Sequence, residues 1–125
     1  MALRTAFLSE KQHMLAHLDV LQELYPSLTA EQYAIELDLM LPHNYSQLAV
    51  YDHDLCIAIC GVWIGNKLWV GKYLELDNIV VCASHRSQGV GDLIFQILEQ
   101  KAKEENSAAK IWIDDIEAYN AALTE

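Results

Sequence analysis

The chain has 125 residues, 53% of them apolar and 21% charged, which makes one domain with enough material for a core that needs no disulfide or metal staple. Eight basic residues against eighteen acidic ones leave a net charge of −10. No basic patch of the kind that holds nucleic acid exists, and an acidic surface instead attracts cationic small molecules or basic peptides.

No run approaches the ~18 apolar residues that cross a membrane. The N-terminus "MALRTAFLSEKQHML" lacks the basic start and apolar stretch of a secretory signal. The three cysteines, Cys56, Cys60 and Cys82, are odd in number, sit in apolar runs and form no C-x-x-C. The expectation is a cytoplasmic protein with reduced, buried, structural thiols; a catalytic thiol, for which Cys82 alone lies near an informative motif, is the lesser alternative.

In chain order, "LRTAF" reads as a first strand and "SEKQHMLAHLDVLQELYP" as a helix. Ser9 and Gln12 have capping-box spacing, Leu15, Leu18, Leu21 and Leu24 form its apolar stripe, and Pro26 lies past its end. A second helix, "TAEQYAIELDLML", opens with the same device at Thr29 and Gln32 and stops at Pro42. From residue 46 the period becomes that of strands. "SQLAVYDH" and "LCIAICGVWIG" flank a turn at Asp52-His53-Asp54. "GNKLWV" starts at a Gly65-Asn66 pair, a hairpin signal because both residues tolerate positive φ. "YLELDNIVV" is a further strand.

A helix from about Gly89 to Glu105, a strand "AKIWIDD" and a helical "AYNAALTE" complete the order β-α-α-β-β-β-α-β-α. Antiparallel strands with one late strand-helix-strand crossover predict an α/β (α+β) fold: a mixed, mostly antiparallel sheet with helices packed on it. Trp63, Trp69 and Trp112 fall in strand patterns and are expected in the core. His13 and His17 are four apart, but no H-E-x-x-H and no third ligand accompany them, so a solvated helix face and no metal are expected.

The stretch "VVCASHRSQGVGDLIFQIL" carries the chemistry. A β-branched strand hands over to a helix through Arg86-Ser87-Gln88-Gly89-Val90-Gly91. The first N–H groups of a helix lack intrahelical partners and face outward at the positive end of the dipole, which is an anion site. Glycine at 89 and 91 lets a bulky anion approach the backbone and permits positive φ, and Arg86 adds charge. Phosphate or pyrophosphate is the fitting ligand. No lysine follows for a Walker loop, and G-x-G-x-x-G is incomplete, so neither a nucleotide triphosphate loop nor a dinucleotide fold is indicated. On glycine spacing alone, a tight turn without a ligand is equally consistent.

R-x-x-G-x-G after such a strand, within "YLELDNIVVCASHRSQGVGDLIFQILEQKAKE", resembles motif A of the GNAT superfamily of acyl-CoA-dependent N-acyltransferases. The order of strand, two helices and antiparallel meander resembles the family's too, as does "KIWID" followed by "AYNAAL" with its N-x-A at Asn120 and Ala122.

The resemblance implies that acetyl-CoA is the donor. The amides of Gln88, Gly89, Val90 and Gly91, with Arg86 and Ser87 beside them, would hold its pyrophosphate, and the exposed backbone of Ile79, Val80 and Val81 would pair with the pantetheine arm. In the family this strand splays from the next, often at a bulge. Asn120 would reach the pantetheine or order its loop. The acceptor would be a small amine or basic peptide attacking the thioester in a ternary complex. That amine must first lose a proton, and Asp77 and Glu75, on one face of the splayed strand, are the candidate bases. Their alternative role is pairing with Lys67, Lys72 or Arg86.

Family members usually continue past "NAAL" through an aromatic pair to two more strands, where a tyrosine often protonates the thiolate. Here the sequence stops at Glu125. All 125 residues are therefore read as one domain with an incomplete C-terminal end, an unassigned general acid and a sheet edge open to a second copy, so that a homodimer is possible. A GNAT-like module that only binds or senses acyl-CoA is the alternative to an enzyme.

Overall fold

The computed structural model describes residues 2–105 and the backbone of 111–113. Five strands form one sheet in the order β1-β2-β3-β4-β5. They are β1 (Leu3–Leu8), β2 (Tyr45–Asp52), β3 (Leu55–Lys67), β4 (Gly71–Val81) and β5 (Ile111–Ile113). The first four pair antiparallel, and β5 joins β4 in parallel, as the predicted crossover requires. Helices α1 (Lys11–Leu15), α2 (Leu18–Leu21) and α3 (Ala30–Met40) cover one face, and α4 (Val90–Glu104) covers the other. The expected fold class and the order of the strands and the crossover helix hold, with three helices in place of two after β1. The final predicted helix, with Asn120, lies outside the described residues.

Alternation along the strands feeds two cores. Toward α4 point Leu48, Val50, Val62, Leu74 and Leu76, packed on Val90, Ile94 and Leu98. Toward the other helices point Ala49, Tyr51, Ile59 and Tyr45, packed on Met14, Val20, Tyr33 and Leu37. Burying one large aliphatic side chain contributes roughly 1.5–3 kcal/mol, so both layers are substantial.

Five local expectations are corrected. The first predicted helix is two, broken at His17, whose φ of −112° and ψ of 26° leave the helical region. Leucines three apart drift around a helix of 3.6 residues per turn, so one straight helix cannot bury them all. The break re-aims the stripe and lets the His17 ring meet the Tyr51 hydroxyl at 2.8 Å. His17 is thus half-buried and not a solvated face, and burial, followed by the nearby His13 charge and against Asp19, holds its pKa below the ordinary value. Glu10, not Ser9, is the N-cap of α1, and it makes no side-chain cap bond. The second capping box forms as predicted, with Thr29 Oγ1 accepting from Gln32 N and Gln32 Oε1 accepting from Thr29 N, both at 3.1 Å.

The fourth correction is the hairpin. β3 runs through Gly65 and Asn66 to Lys67, and the turn falls at residues 68–70, closed by Val70 N to Lys67 O at 3.2 Å with Gly71 at φ +77°. Gly65 instead makes room for its cross-strand partner: a β-carbon there would lie 2.8 Å from the Tyr73 hydroxyl. Trp69 consequently sits at the hairpin tip, 61% exposed, and not in the core. Trp63 is half-buried in β3, and the Trp112 side chain lies outside the described residues.

Candidate active site

The site gathers around one irregularity in β4. Ile59 of β3 pairs with Val80, but Gly61 pairs with Asp77, so two steps on β3 answer three on β4. The extra residue is Asn78, in the left-handed region at φ +49°. This bulge shifts the alternation by one position. Leu74 and Leu76 before it, and Ile79 and Val81 after it, all join the α4 core, whereas Val80 joins the opposite one. Glu75 and Asp77, intervening between Leu74 and the bulge, therefore face the α1–α3 side, on the one face the sequence expected. Pairing of β4 with β5 is described from Leu74 to Leu76; what lies beside Ile79, Val80 and Val81 on that edge, and with it the expected splay, falls outside the described residues.

Asp77 is held in a fixed pose. Trp63 Nε1 donates to its Oδ2 at 2.9 Å. Its Oδ1 occupies the space over Gly61, where a β-carbon would stand 2.1 Å away and 3.1 Å from the Tyr45 ring and hydroxyl. The carboxylate charge is felt nearby: burial foremost, with Asp77 adding to it, pushes the Tyr45 phenol and the Cys60 thiol upward. Tyr45 and Tyr33 both accept from Nε2 of the fully buried Gln47, at 2.9 and 2.6 Å. Two of the three cations considered as structural partners of the strand carboxylates are engaged elsewhere: Lys72 with Glu105 at 3.3 Å and Arg86 with Glu23 at 3.8 Å.

Beyond β4, residues 83–85 make one tight helical turn, and the glycine turn follows. Ser87 at φ +62° and Gly89 at φ +82° are its left-handed positions, and Gly89 is the N-cap of α4. Gly91 lies within the first turn of α4 and is buried with Val90, while Ser87, Gln88 and Gly89 are exposed. Residues 87–89 thus form an exposed turn at the positive end of a 15-residue helix, and Gly91, expected to give an anion close approach and a positive φ, is instead a buried residue of the first helical turn.

Arg86 is more structural than a free cation would be. Its Nε donates to Val81 O at 2.9 Å, and Glu23, which also accepts from Ala83 N at 3.0 Å, faces its guanidinium. It ties the end of β4 to the turn and to the residues after α2. On the other side, His85 Nε2 meets Asp52 Oδ2 at 2.8 Å, which fastens the turn to the end of β2.

The thiols fit the structural reading. Cys56 and Cys60 are buried and Cys82 half-buried. Burial pushes Cys56 up to about 11, and burial with the Glu23 carboxylate pushes Cys82 up to about 12, so both stay protonated at neutral pH. Among the described residues no three His, Cys, Asp or Glu side chains could hold a metal ion, and no helix is long and apolar enough to cross a membrane.

Gly61, Trp63, Tyr45, Gln47 and Asn78 are the site residues that sequence reasoning missed. A glycine inside the β-branched run of β3 was the available signal, because such a glycine marks a close approach by another group. A cavity of about 270 Å³ opens beside the bulge, between α2, the following loop and α3.

A strand bulged at Asn78 and a left-handed turn leading into the N-terminus of α4 are the features on which the site is built. The sequence profile of the acetyltransferase (GNAT) family matches residues 13–124. The chain belongs to that family. No curated protein matches it in sequence. Among solved structures, it is similar to a ribosomal-protein-alanine N-acetyltransferase from Brucella melitensis biovar Abortus 2308, at 17% identity and a TM-score of 0.76, covering 90% of this chain and 79% of that one. Glucosamine-6-phosphate N-acetyltransferase from Arabidopsis thaliana matches at 17% identity and a TM-score of 0.71, covering 91% and 82%. A predicted acetyltransferase with acetyl-CoA from Clostridium acetobutylicum matches at 13% identity and a TM-score of 0.66, covering 90% and 80%.

Proposed function

We propose that the chain is an N-acetyltransferase that moves an acetyl group from acetyl-CoA to a primary amine by direct attack in a ternary complex. The bulge at Asn78 carries this reading. It sets a carboxylate, Asp77, on one side of β4 and starts the run Ile79–Val81 on the other side of the same irregularity. Bound acetyl-CoA, as in the Clostridium acetobutylicum protein, supplies the thioester. Amides of residues 87–91 hold its pyrophosphate at the head of α4, and the backbone of Ile79, Val80 and Val81 pairs with its pantetheine arm.

An amine protonated at neutral pH cannot attack. Asp77, directly or through one water, takes that proton. The amine nitrogen then bonds to the thioester carbon, the carbon–sulfur bond breaks, and the thiolate leaves and is protonated. Trp63 fixes the angle of the Asp77 carboxylate. Glu75, one strand repeat away at roughly 6–7 Å, is the second candidate.

Calorimetric titration with acetyl-CoA, followed by thiol-release assays over an amine panel, tests the reading. Saturable binding with turnover of at least one amine is expected. Binding without turnover of any amine makes the chain an acyl-CoA-binding module instead, and no binding removes the reading of the glycine turn.

A further inference from the structure

We propose that the acceptor is a small primary amine with an apolar, aromatic-sized body, and not a sugar amine, a polyamine or a basic peptide. The inference rests on the acetyltransferase reading and deepens it. It follows from the cavity beside the bulge, which shares Asn78 and Tyr45 with the surroundings of Asp77.

Three tyrosines line this cavity, and each hydroxyl oxygen already accepts a hydrogen bond from the protein. Tyr33 and Tyr45 accept from Gln47, and Tyr25 accepts from Asn78 Nδ2. The hydrogen bonds of Tyr33 and Tyr45 draw their hydroxyls toward buried Gln47, so the space between them meets mainly carbon. Leu21, Leu28 and Met40 supply the remaining apolar wall. A sugar amine entering here would surrender its hydration to a surface that offers little in return, a cost of the order that separates good substrates from poor ones.

Charge narrows the class further. Among the described residues, Glu36 is the only charged one in the lining. One carboxylate favours entry of a singly charged amine and cannot match the several cations of a polyamine or a basic peptide. Among the described residues no lysine or arginine lines the space, which offers a phosphorylated acceptor no cationic partner there. At about 270 Å³ the cavity is near the lower edge of ligand pockets, which span about 300–1,000 Å³. A single ring with a short aminoalkyl arm is of that scale; an aminoglycoside is not.

Phenethylamine, glucosamine and spermidine are suitable probes on the full chain. Turnover with acetyl-CoA should favour phenethylamine in kcat/KM by at least about tenfold over either of the others. Leu28→Trp, which fills the cavity from its loop side, should lower kcat/KM for phenethylamine by about tenfold or more while acetyl-CoA affinity holds. Glu36→Gln, a conservative change at an exposed position, should raise KM with little change in kcat.

Methyl NMR titration without acetyl-CoA gives an independent readout: phenethylamine should shift Leu21, Leu28 and Met40 signals, and Leu28→Trp should abolish the shifts. Those shifts in a chain that does not bind acetyl-CoA would retain the cavity assignment and remove the acetyltransferase reading. Preference for glucosamine or spermidine, or phenethylamine binding unaltered in Leu28→Trp, would overturn the inference.

Discussion

The two halves of the proposed site are made of different material. The donor half is backbone: left-handed Ser87 and Gly89, the amides that start α4, and the run Ile79–Val81. The acceptor half is side chain: Asp77 on β4, Trp63 and Gly61 on β3, Tyr45 and Gln47 on β2, Tyr33 and Glu36 on α3. A backbone site tolerates many side chains but few conformations. A side-chain site tolerates small backbone shifts but few substitutions. Mutations in the two halves should therefore fail in different observables, affinity for the donor in one and turnover in the other.

The largest effect is expected at Asp77. Asp77→Asn keeps the shape and the bond from Trp63 but removes the basicity. Turnover should fall by about 10²-fold or more, typical for loss of a general base, with acetyl-CoA affinity nearly unchanged. The deficit should shrink as pH rises and more amine is already neutral. Normal turnover in this variant alongside a loss in Glu75→Gln would transfer the role to Glu75.

The donor half is broken next. Gly89 sits at φ +82° with nothing near its missing β-carbon, so a valine there meets no clash but must leave the conformation. A β-branched residue is a genuine outlier in that region. Gly89→Val should refit the start of α4 and weaken acetyl-CoA by about tenfold or more, since ~1.4 kcal/mol of misfit suffices for that factor. Gly91→Val, inside the buried first turn, should add to it. A folded double variant that binds acetyl-CoA with wild-type affinity would refute the assignment of the turn.

Gly61 sharpens the contrast, because it is a glycine that serves a side chain. An added methyl would stand 2.1 Å from Asp77 Oδ1, and the carboxylate must move, at the expense of its bond from Trp63. Gly61→Ala should lower kcat by about tenfold, as misplacement of a reacting group does, and leave acetyl-CoA affinity intact. Steady-state kinetics beside calorimetry decides it. Equal losses in both would show that the whole β3–β4 pair has shifted.

The same contrast explains what the sequence disclosed. Arg86 to Gly91 is contiguous, and its glycine demand is written in adjacent letters, so the turn was legible, as were the strand order, the face shared by Glu75 and Asp77 and the Thr29–Gln32 box. The acceptor wall is assembled from segments up to dozens of residues apart. Trp63 and Asp77 meet through the β3–β4 register that the turn at residues 68–70 sets, and nothing in "DNIVV" declares on which residue the bulge beyond Asp77 will fall. Gly65 was misread because glycine serves two ends, a positive φ or a close approach, and here it admits the Tyr73 ring. Arg86 was legible as a cation near the turn, but its engagement by Glu23 depends on packing after α2.

The smallest effect lies under the acceptor half, at the break between α1 and α2. His17 is half-buried against Tyr51, and burial foremost holds its pKa below the ordinary value of 6.5. Its folded pKa is thus lower than its unfolded one. Between the two values the unfolded chain binds more protons, so stability rises with pH through that window. The contribution is fully present above the unfolded value of 6.5 and is lost as pH falls from there through the folded value. Asp19, whose charge opposes the shift, and His13, whose charge adds to it, modulate the window without reversing its sign.

His17→Gln removes the titration and keeps a polar side chain near the Tyr51 hydroxyl. Urea unfolding of both proteins at about pH 7.5 and about pH 5.5, which bracket the ordinary histidine value, should show the wild type losing more stability on acidification than the variant. Acetyl-CoA affinity should not respond, since the donor half shares no residue with this break. A wild type that loses no more stability than His17→Gln would mean that the ring is as accessible to protons in the fold as in the unfolded chain.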